Sequence, residues 1–254
     1  MQMTGQAAIV TGGGSGLGEA VARELARQGV KIAVLDMHAE NARRVADDVG
    51  GMAFSCDITD SASLTAALDG AEAAQGVARI VMNIAGIGSA RRVVGKDGQP
   101  APLEDFERVV RVNLIGTYNV VRLTAARIAR LEALEDGERG VMLMTASVAA
   151  YDGQVGQEAY SASKGGLVSM TLPLARDLAQ HGIRVVTIAP GLFETPLMKT
   201  LPEPVQKSLA ASIPFPPRLG RPDEFAALAA HIVANGHLNG ETIRLDGALR
   251  MGPR

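Results

Sequence analysis

An α/β fold, with one doubly wound parallel sheet of about seven strands, is what this sequence predicts. Three observations carry that expectation. Short apolar runs recur along the whole chain, near-continuous rather than alternating, as strands covered on both faces must be. Segments with helical spacing fill the intervals, so strand and helix alternate with right-handed crossovers. A glycine-rich turn follows directly on the first apolar run, where a strand hands over to a helix.

The first strand is Ala7-Ala8-Ile9-Val10, and residues 17–28 follow as a helix in which Val21, Leu25 and Ala26 recur at helical spacing until Gly29 ends it. Ile32-Ala33-Val34-Leu35 is the second strand and residues 39–49 the second helix. Ala53-Phe54 and Ile80-Val81-Met82 supply the third and fourth strands. Helical stretches at 103–130 and 157–180 lie on either side of the fifth strand, Val141-Met142-Leu143-Met144. Val185-Val186-Thr187-Ile188 and Ile243-Arg244-Leu245 complete the sheet. Two stretches break the rhythm. Residues 86–102 carry Arg91, Arg92 and Lys96 without periodicity, and residues 192–217 carry Pro196, Pro202, Pro204, Pro214 and Pro216 before Pro217. Loops of that length in a compact α/β domain are usually lids or binding loops. No repeat, linker or charge block divides the chain, so residues 1–254 are expected to form a single domain.

Composition narrows the function. The chain has 25 Lys+Arg against 27 Asp+Glu, a formal charge of −2, which offers no electrostatic basis for binding nucleic acid or an anionic membrane. One cysteine, Cys56, cannot make an intrachain disulfide. His38, His181, His231 and His237 lie at no metal-ligand spacing, so no metal site is expected. There is no apolar run of membrane-spanning length, and the chain starts without a signal sequence, which points to the cytoplasm.

The turn after the first strand reads Thr11-Gly12-Gly13-Gly14-Ser15-Gly16-Leu17-Gly18, a T-G-x-x-x-G-x-G pattern rather than G-x-G-x-x-G. The free N–H groups and positive dipole end of the following helix suit a pyrophosphate, and the glycines let backbone approach it. Asp36 closes the second strand, the position from which a carboxylate accepts hydrogen bonds from an adenosine ribose. The same carboxylate repels a 2′-phosphate, and neither Ser15 nor Met37 supplies a compensating base, so the cofactor expected is NAD. A plain helix cap is the other reading of Asp36.

Tyr160 and Lys164 stand at i and i+4 in Tyr160-Ser161-Ala162-Ser163-Lys164 and share a helix face. Tyrosine ordinarily titrates near ~10. An ammonium about 5 Å away, at an effective dielectric of about 20, contributes roughly 3 kcal/mol, or about two pKa units towards tyrosinate. That pair is therefore expected to hold a usable base.

Thr11 to Gly18, Asp57, Asn83-Ile84-Ala85-Gly86, Asn113, Ser147, Tyr160/Lys164 and Pro190-Gly191 occur in an order and spacing that resembles the short-chain dehydrogenase/reductase family along almost the whole chain. The resemblance implies a Rossmann-type fold and a catalytic set of Asn113, Ser147, Tyr160 and Lys164. Ser147 would orient the substrate oxygen, Tyr160 would exchange its proton, Lys164 would hold the nicotinamide ribose, and Asn113 would support a proton-relay water. Gly12, Ser15, Gly16, Leu17, Gly18, Asp36, Asp57, Ile58, Asn83, Ala85, Gly86, Tyr160, Lys164, Pro190, Gly191, Phe193 and Thr195 would line the NAD site, with Asp57 at the adenine and Thr195 at the carboxamide. Ile84 departs from the family, which more often has Asn there; a backbone role survives the change.

Ala146 to Ala150, Gly153 to Gln157, Ile188 to Phe193 and the run from Asn239 to Met251 are similar to one subgroup, the short-chain 3-hydroxyacyl-CoA dehydrogenases, also described as broad-specificity hydroxysteroid dehydrogenases. The similarity implies oxidation of a 3-hydroxyacyl-CoA, a homotetramer formed through the helices at 103–130 and 157–180, and substrate contacts from Ser147, Gln154, Gln157 and Tyr160. Oxidation of a steroid or another small hydroxy compound is the nearest alternative, and a cofactor-bound interaction subunit is the alternative of a different class. Arg91, Arg92 and Lys96 are the cations expected to meet the coenzyme A phosphates, solvated surface charge being the other reading.

Overall fold

A computed structural model describes residues 1–88, 90–199 and 202–253. Ser89, in the first long loop, and Thr200 and Leu201, in the second, lie outside the described residues. The seven strands are β1 (Ala7–Thr11), β2 (Lys31–Asp36), β3 (Met52–Ser55), β4 (Ile80–Asn83), β5 (Gly140–Thr145), β6 (Ile183–Pro190) and β7 (Thr242–Leu245). They form one sheet in the order β3-β2-β1-β4-β5-β6-β7, and every pairing is parallel. The order reverses between β1 and β4, so a crevice opens outside the carboxyl ends of those two strands. Thr11 lies opposite Asn83 there.

Each face of the sheet is covered because its strands are apolar on both sides. Helices α1 (Gly16–Arg27), α2 (Ala39–Val49) and α9 (Pro222–Ala234) cover one face. Val21 and Leu25 of α1, Val45 of α2 and Phe225 of α9 pack there on Val10, Val34, Met82 and Leu143. Helices α3 (Ser61–Gln75), α5 (Thr117–Ile128) and α6 (Glu158–Ala179) cover the other. Leu64 and Leu68, Val120 and Ile128, and Leu167 and Leu178 meet Ile9, Val81, Met142 and Val185. The local start and stop signals are ordinary ones: Asp60 caps α3 by accepting from the N–H groups of Ala62 and Ser63, and Gly50 ends α2 in the left-handed region (φ 63).

The two long loops have structure of their own. Val94 and Pro100 form an antiparallel bridge, the Gly95 N–H donates to Gln99 and the Ala101 N–H to Val93, so residues 93–101 make a small exposed hairpin. It leads into α4 (Leu103–Val110), which runs through one π turn (Arg111–Gly116) into α5. The second loop contains α7 (Pro196–Lys199) and α8 (Glu203–Ala211). With the C-terminal segment it builds a third, smaller cluster of Ile213, Leu219 and Leu249, against which Met198, Leu209 and Met251 pack.

Candidate active site

The glycine turn is held down at the carboxyl end of β1. Gly12 N–H donates to the Leu35 carbonyl at 2.8 Å. Gly12 is in the left-handed region (φ 65), and a Cβ on it would fall 2.7 Å from Ala85 Cα, so only glycine permits this approach of the turn to the segment after β4. Thr11 joins the same two segments: its hydroxyl accepts from the N–H groups of Ile84 (3.2 Å) and Ala85 (3.4 Å). A Cβ on Gly18 would collide with the Gly12 carbonyl, so that glycine seats α1 on the turn.

Helix α1 opens without a capping side chain, Ser15 being extended and exposed. The N–H groups of its first turn, at Gly16, Leu17 and Gly18, are the orphan donors that an anion satisfies, reinforced by the helix dipole. At the strand ends beside it, two buried oxygens, Asn83 Oδ1 and Thr145 Oγ1, have no hydrogen-bond partner, a polar capacity of the kind a bound polar ligand takes up. Asp36 stands at the far end of the turn. Its carboxylate accepts from Gly14 N–H and His38 N–H, both at 3.0 Å, while the residue at the α2 N-cap is His38, so Asp36 is tied to the turn rather than serving as a simple cap. These features fit a dinucleotide lying across the switch point.

The groups with catalytic chemistry meet at the ends of β4 and β5. Ser147 follows β5 and starts a short 3-10 turn, its hydroxyl accepting from Ala149 N–H at 3.1 Å and hydrogen-bonding the Tyr160 side chain. Tyr160 and Lys164 lie one turn apart in α6, with Lys164 Nζ 5.7 Å from the tyrosine ring centre. Lys164 is 4% exposed and donates to the Thr145 carbonyl at 2.6 Å. A Cβ on Gly86 would lie 3.1 Å from Asn113 Oδ1 and 3.4 Å from Lys164 Nζ, which places the segment after β4 directly against this cluster.

The electrostatics correct one expectation. Burial pushes the Tyr160 hydroxyl up from its ordinary value, with the Ser147 hydrogen bond opposing that shift. Burial also pushes Lys164 down from 10.5 to about 8. The sequence argument allowed the ammonium to act on the tyrosine but could not include the loss of water around both groups, and that loss dominates here.

Asn113 is fully enclosed in the π turn, a helix irregularity that recurs at functional sites. Its Oδ1 accepts from Ile87 N–H (2.8 Å), and its Nδ2 donates to the Ile87 carbonyl (2.9 Å) and to Ser163 Oγ (3.1 Å). Ser163 in turn donates to the Tyr160 carbonyl at 2.7 Å. The Asn113 side chain therefore ties the loop after β4 to α6, the helix of Tyr160 and Lys164.

The other residues expected at the cofactor and substrate are held by contacts within the protein. Asp57 accepts from the N–H and hydroxyl of Thr59, both at 2.8 Å. The Ile58 side chain is in the core against Gly116, and its carbonyl accepts from Asn119 Nδ2 at 2.9 Å. Phe193 is likewise in the core, edge-on to Phe225 at 6.2 Å, and its carbonyl accepts from Thr195 N–H at 2.9 Å. Pro190 ends β6, and the Gly191 N–H donates to Leu245. The Thr195 hydroxyl accepts from Met198 N–H at 3.3 Å, and Thr195 and Pro196 lie next to Gly16. Gln157 Oε1 accepts from Gln154 N–H (3.1 Å), while Gln154 Nε2 donates to the Gly252 carbonyl (3.1 Å). With Val155 N–H donating to Pro253, these bonds pin the C-terminal segment to the loop before α6. That tether, Thr11 and Ser163 had no assigned role from sequence; Thr11 heads the glycine motif and was the most legible of the three. The Arg91 N–H donates to Gly156, and its side chain lies 3.4 Å from Asp105, whereas Arg92 and Lys96 are exposed around the hairpin. A hollow of about 620 Å³ between the C-terminal halves of α3 and α5, holding Arg127 with Asp69 and Glu72, is lined by none of these residues.

The chain is similar to known proteins over nearly its whole length. A bovine (Bos taurus) 3-hydroxyacyl-CoA dehydrogenase type-2 is 52% identical over 252 residues, covering 98% of this chain and 97% of that protein. The crystal structure of 3-hydroxyacyl-CoA dehydrogenase type-2 from Mycobacterium avium superposes with a TM-score of 0.94 at 44% identity and full coverage of both chains. A 3-ketoacyl-(acyl-carrier-protein) reductase from Brucella melitensis, solved as a complex with NADH, gives a TM-score of 0.88 at 32% identity over 98% of this chain and 100% of that one. The family model described as short chain dehydrogenase matches residues 6–206. With that match over most of its length, the chain belongs to the short-chain dehydrogenase family.

Proposed function

We propose that this chain is an NAD-dependent dehydrogenase that oxidises the secondary alcohol of a 3-hydroxyacyl-CoA to the 3-oxoacyl-CoA. The observation that carries the reading is the meeting of Ser147, Tyr160 and Lys164 beside an uncapped, glycine-walled helix N-terminus with Asp36 at its far end. The relatives named for this reaction, and the neighbour solved with NADH, support it.

Gly12, Ser15, Gly16, Leu17 and Gly18 would hold the diphosphate through backbone, and Asp36 the adenosine ribose. Asp57 and Ile58 would border the adenine, and Asn83, Ala85 and Gly86 the middle of the groove. Tyr160 and Lys164 would hold the second ribose, and Pro190, Gly191, Phe193 and Thr195 the carboxamide end. When bound, NAD supplies the hydride acceptor. Ser147 would hold the substrate hydroxyl beside Tyr160, and Tyr160 would take its proton as tyrosinate, an anion that burial disfavours and that the Lys164 ammonium and a bound nicotinamide cation would together offset. Lys164, at about 8, keeps its charge at neutral pH and stabilises that anion, while Asn113 fixes the helix that carries both. Gln154 and Gln157 stand at the substrate end. Arg92 and Lys96 are exposed cations for the coenzyme A phosphates, with Arg91 shared with Asp105.

A homotetramer is part of the proposal. Leu103, Phe106, Ile115, Tyr118 and Leu172 are exposed apolar side chains on α4, the π turn, α5 and α6, an area that helix pairing would cover. A cytoplasmic setting is proposed as well, in keeping with a lone buried Cys56 that can form no intrachain disulfide. Among the described residues no helix is long and apolar enough to cross a membrane.

The test is a turnover panel of 3-hydroxyacyl-CoA thioesters and a neutral steroid alcohol, each with NAD and NADP. Thioester oxidation with NAD is expected to dominate. Added salt and Arg92→Ala with Lys96→Ala should raise KM for the thioester alone. Turnover of the steroid without the thioester would overturn the substrate assignment.

A further inference from the structure

Arg44 of α2 reaches the glycine turn from 30 residues away: its Nη2 donates to the Gly14 carbonyl at 3.0 Å. Its guanidinium also takes both carboxylate oxygens of Glu19, at 2.9 and 2.6 Å. On the other side of the same residue, Gly14 N–H donates to Asp36. One residue of backbone thus separates the Asp36 carboxylate from a guanidinium. Glu19 sits in the first turn of α1 and accepts from Arg23 as well, and Arg23 bridges on to Asp48 at 2.6 Å. The strong pull of Arg44, with that of Arg23, holds the Glu19 carboxyl down at about 2, so it is charged throughout the working pH range.

We propose that Glu19 is a second determinant of nucleotide choice, acting as a positioning residue through Arg44: it holds against itself a cation that would otherwise stand ready for a 2′-phosphate at the Asp36 corner. The inference rests on the reading that the adenosine ribose of NAD lies at Asp36. Asp36 repels the 2′-phosphate directly, and Glu19 withholds its counter-ion. A fork-shaped guanidinium matches both a carboxylate and a phosphate, so the two compete for the same side chain. The Arg44–Glu19 pair is partly exposed, with side-chain exposures of 49% and 21%, and an exposed pair of this kind is readily exchanged. Asp48 also stands near enough to act on Arg44 but is paired with Arg23 at 2.6 Å, so neutralising Glu19 leaves Arg44 only a carboxylate that it must share.

The experiment compares Asp36→Asn, Glu19→Gln, the double variant, and the double variant carrying Arg44→Ala. Dissociation constants for 5′-ADP and 2′,5′-ADP are measured by calorimetry, alongside kcat/KM for NAD and NADP. Adding Glu19→Gln to Asp36→Asn should tighten 2′,5′-ADP by about tenfold, the effect of one charge-assisted hydrogen bond, and leave 5′-ADP within about twofold. Arg44→Ala should remove that gain. A double variant that binds 2′,5′-ADP no better than Asp36→Asn overturns the proposal. So does a gain that survives Arg44→Ala, which would reflect only the loss of negative charge near the phosphates. Retained 5′-ADP binding shows that each variant keeps a folded site. Failure of the unaltered protein to bind 5′-ADP or NAD would instead overturn the cofactor reading on which the inference rests.

Discussion

Lys164 titrates within an accessible pH range because it is buried without a counter-charge. Its Nζ donates to the Thr145 carbonyl, the residue is 4% exposed, and among the described residues no carboxylate pairs with it. Burial lowers it from 10.5 to about 8, and unfolding returns it to water and to its ordinary value. Between those two values the unfolded chain binds the proton that the folded chain has released, so stability must rise with pH across that window. Below about 8 both states are protonated and the penalty on the buried charge is at full size. Integrating over the two titrations, stability gains about 2 kcal/mol between roughly pH 7.5 and 9.5. Lys164→Met keeps a side chain of similar length and removes the titration. Urea unfolding of both proteins at those two pH values, at one protein concentration, should show the unaltered chain gaining about 2 kcal/mol more than the variant. Parallel changes in the two proteins would refute the claim that the folded state penalises this ammonium.

Tyr160→Phe should lower kcat about 10²–10⁴-fold while NADH binding, followed by fluorescence, is retained. Asn113→Ala removes the partners of both Ile87 backbone groups and should cost about 2 kcal/mol or more in chemical unfolding, with weaker NADH binding because the loop after β4 is released. Ala248 is an exposed non-glycine residue at φ 68, so Ala248→Gly should stabilise by up to about 1 kcal/mol, read as a rise in Tm. Arg244 pairs with Asp152 (2.6 Å) and Asp246 (2.7 Å) and lies over the Tyr151 ring at 5.1 Å, joining β7 to the loop before α6. Arg244→Met should raise KM several-fold with a smaller change in kcat, and a steady-state titration with the thioester separates the two.

Residues that were legible in the sequence were those whose signal is local. The inner strands show because a buried parallel strand needs a short continuous apolar run, the edge strands β3 and β7 only as brief apolar runs because they are half-buried, and the helices because their buried residues recur every three or four positions. The glycine turn was legible because left-handed backbone and a near contact with Ala85 leave Gly12 no substitute, and Tyr160 and Lys164 because i and i+4 share a face. The hairpin at 93–101 was not, since its exposed residues have no buried face to impose a period. That the Ile58 and Phe193 side chains turn into the core was not legible, because the spacing of the motif does not tell a backbone contact from a side-chain one. The Tyr160 hydroxyl moves up rather than down because desolvation depends on everything packed around it. Arg44 arrives beside Gly14 only because α2 packs next to α1, a contact no spacing along the chain records. Sequence by itself determined the elements, their order and the chemical groups brought to the site. Their charge states, and which distant side chains stand beside them, were decided only by tertiary packing, because burial and through-space contact are properties of the assembled chain.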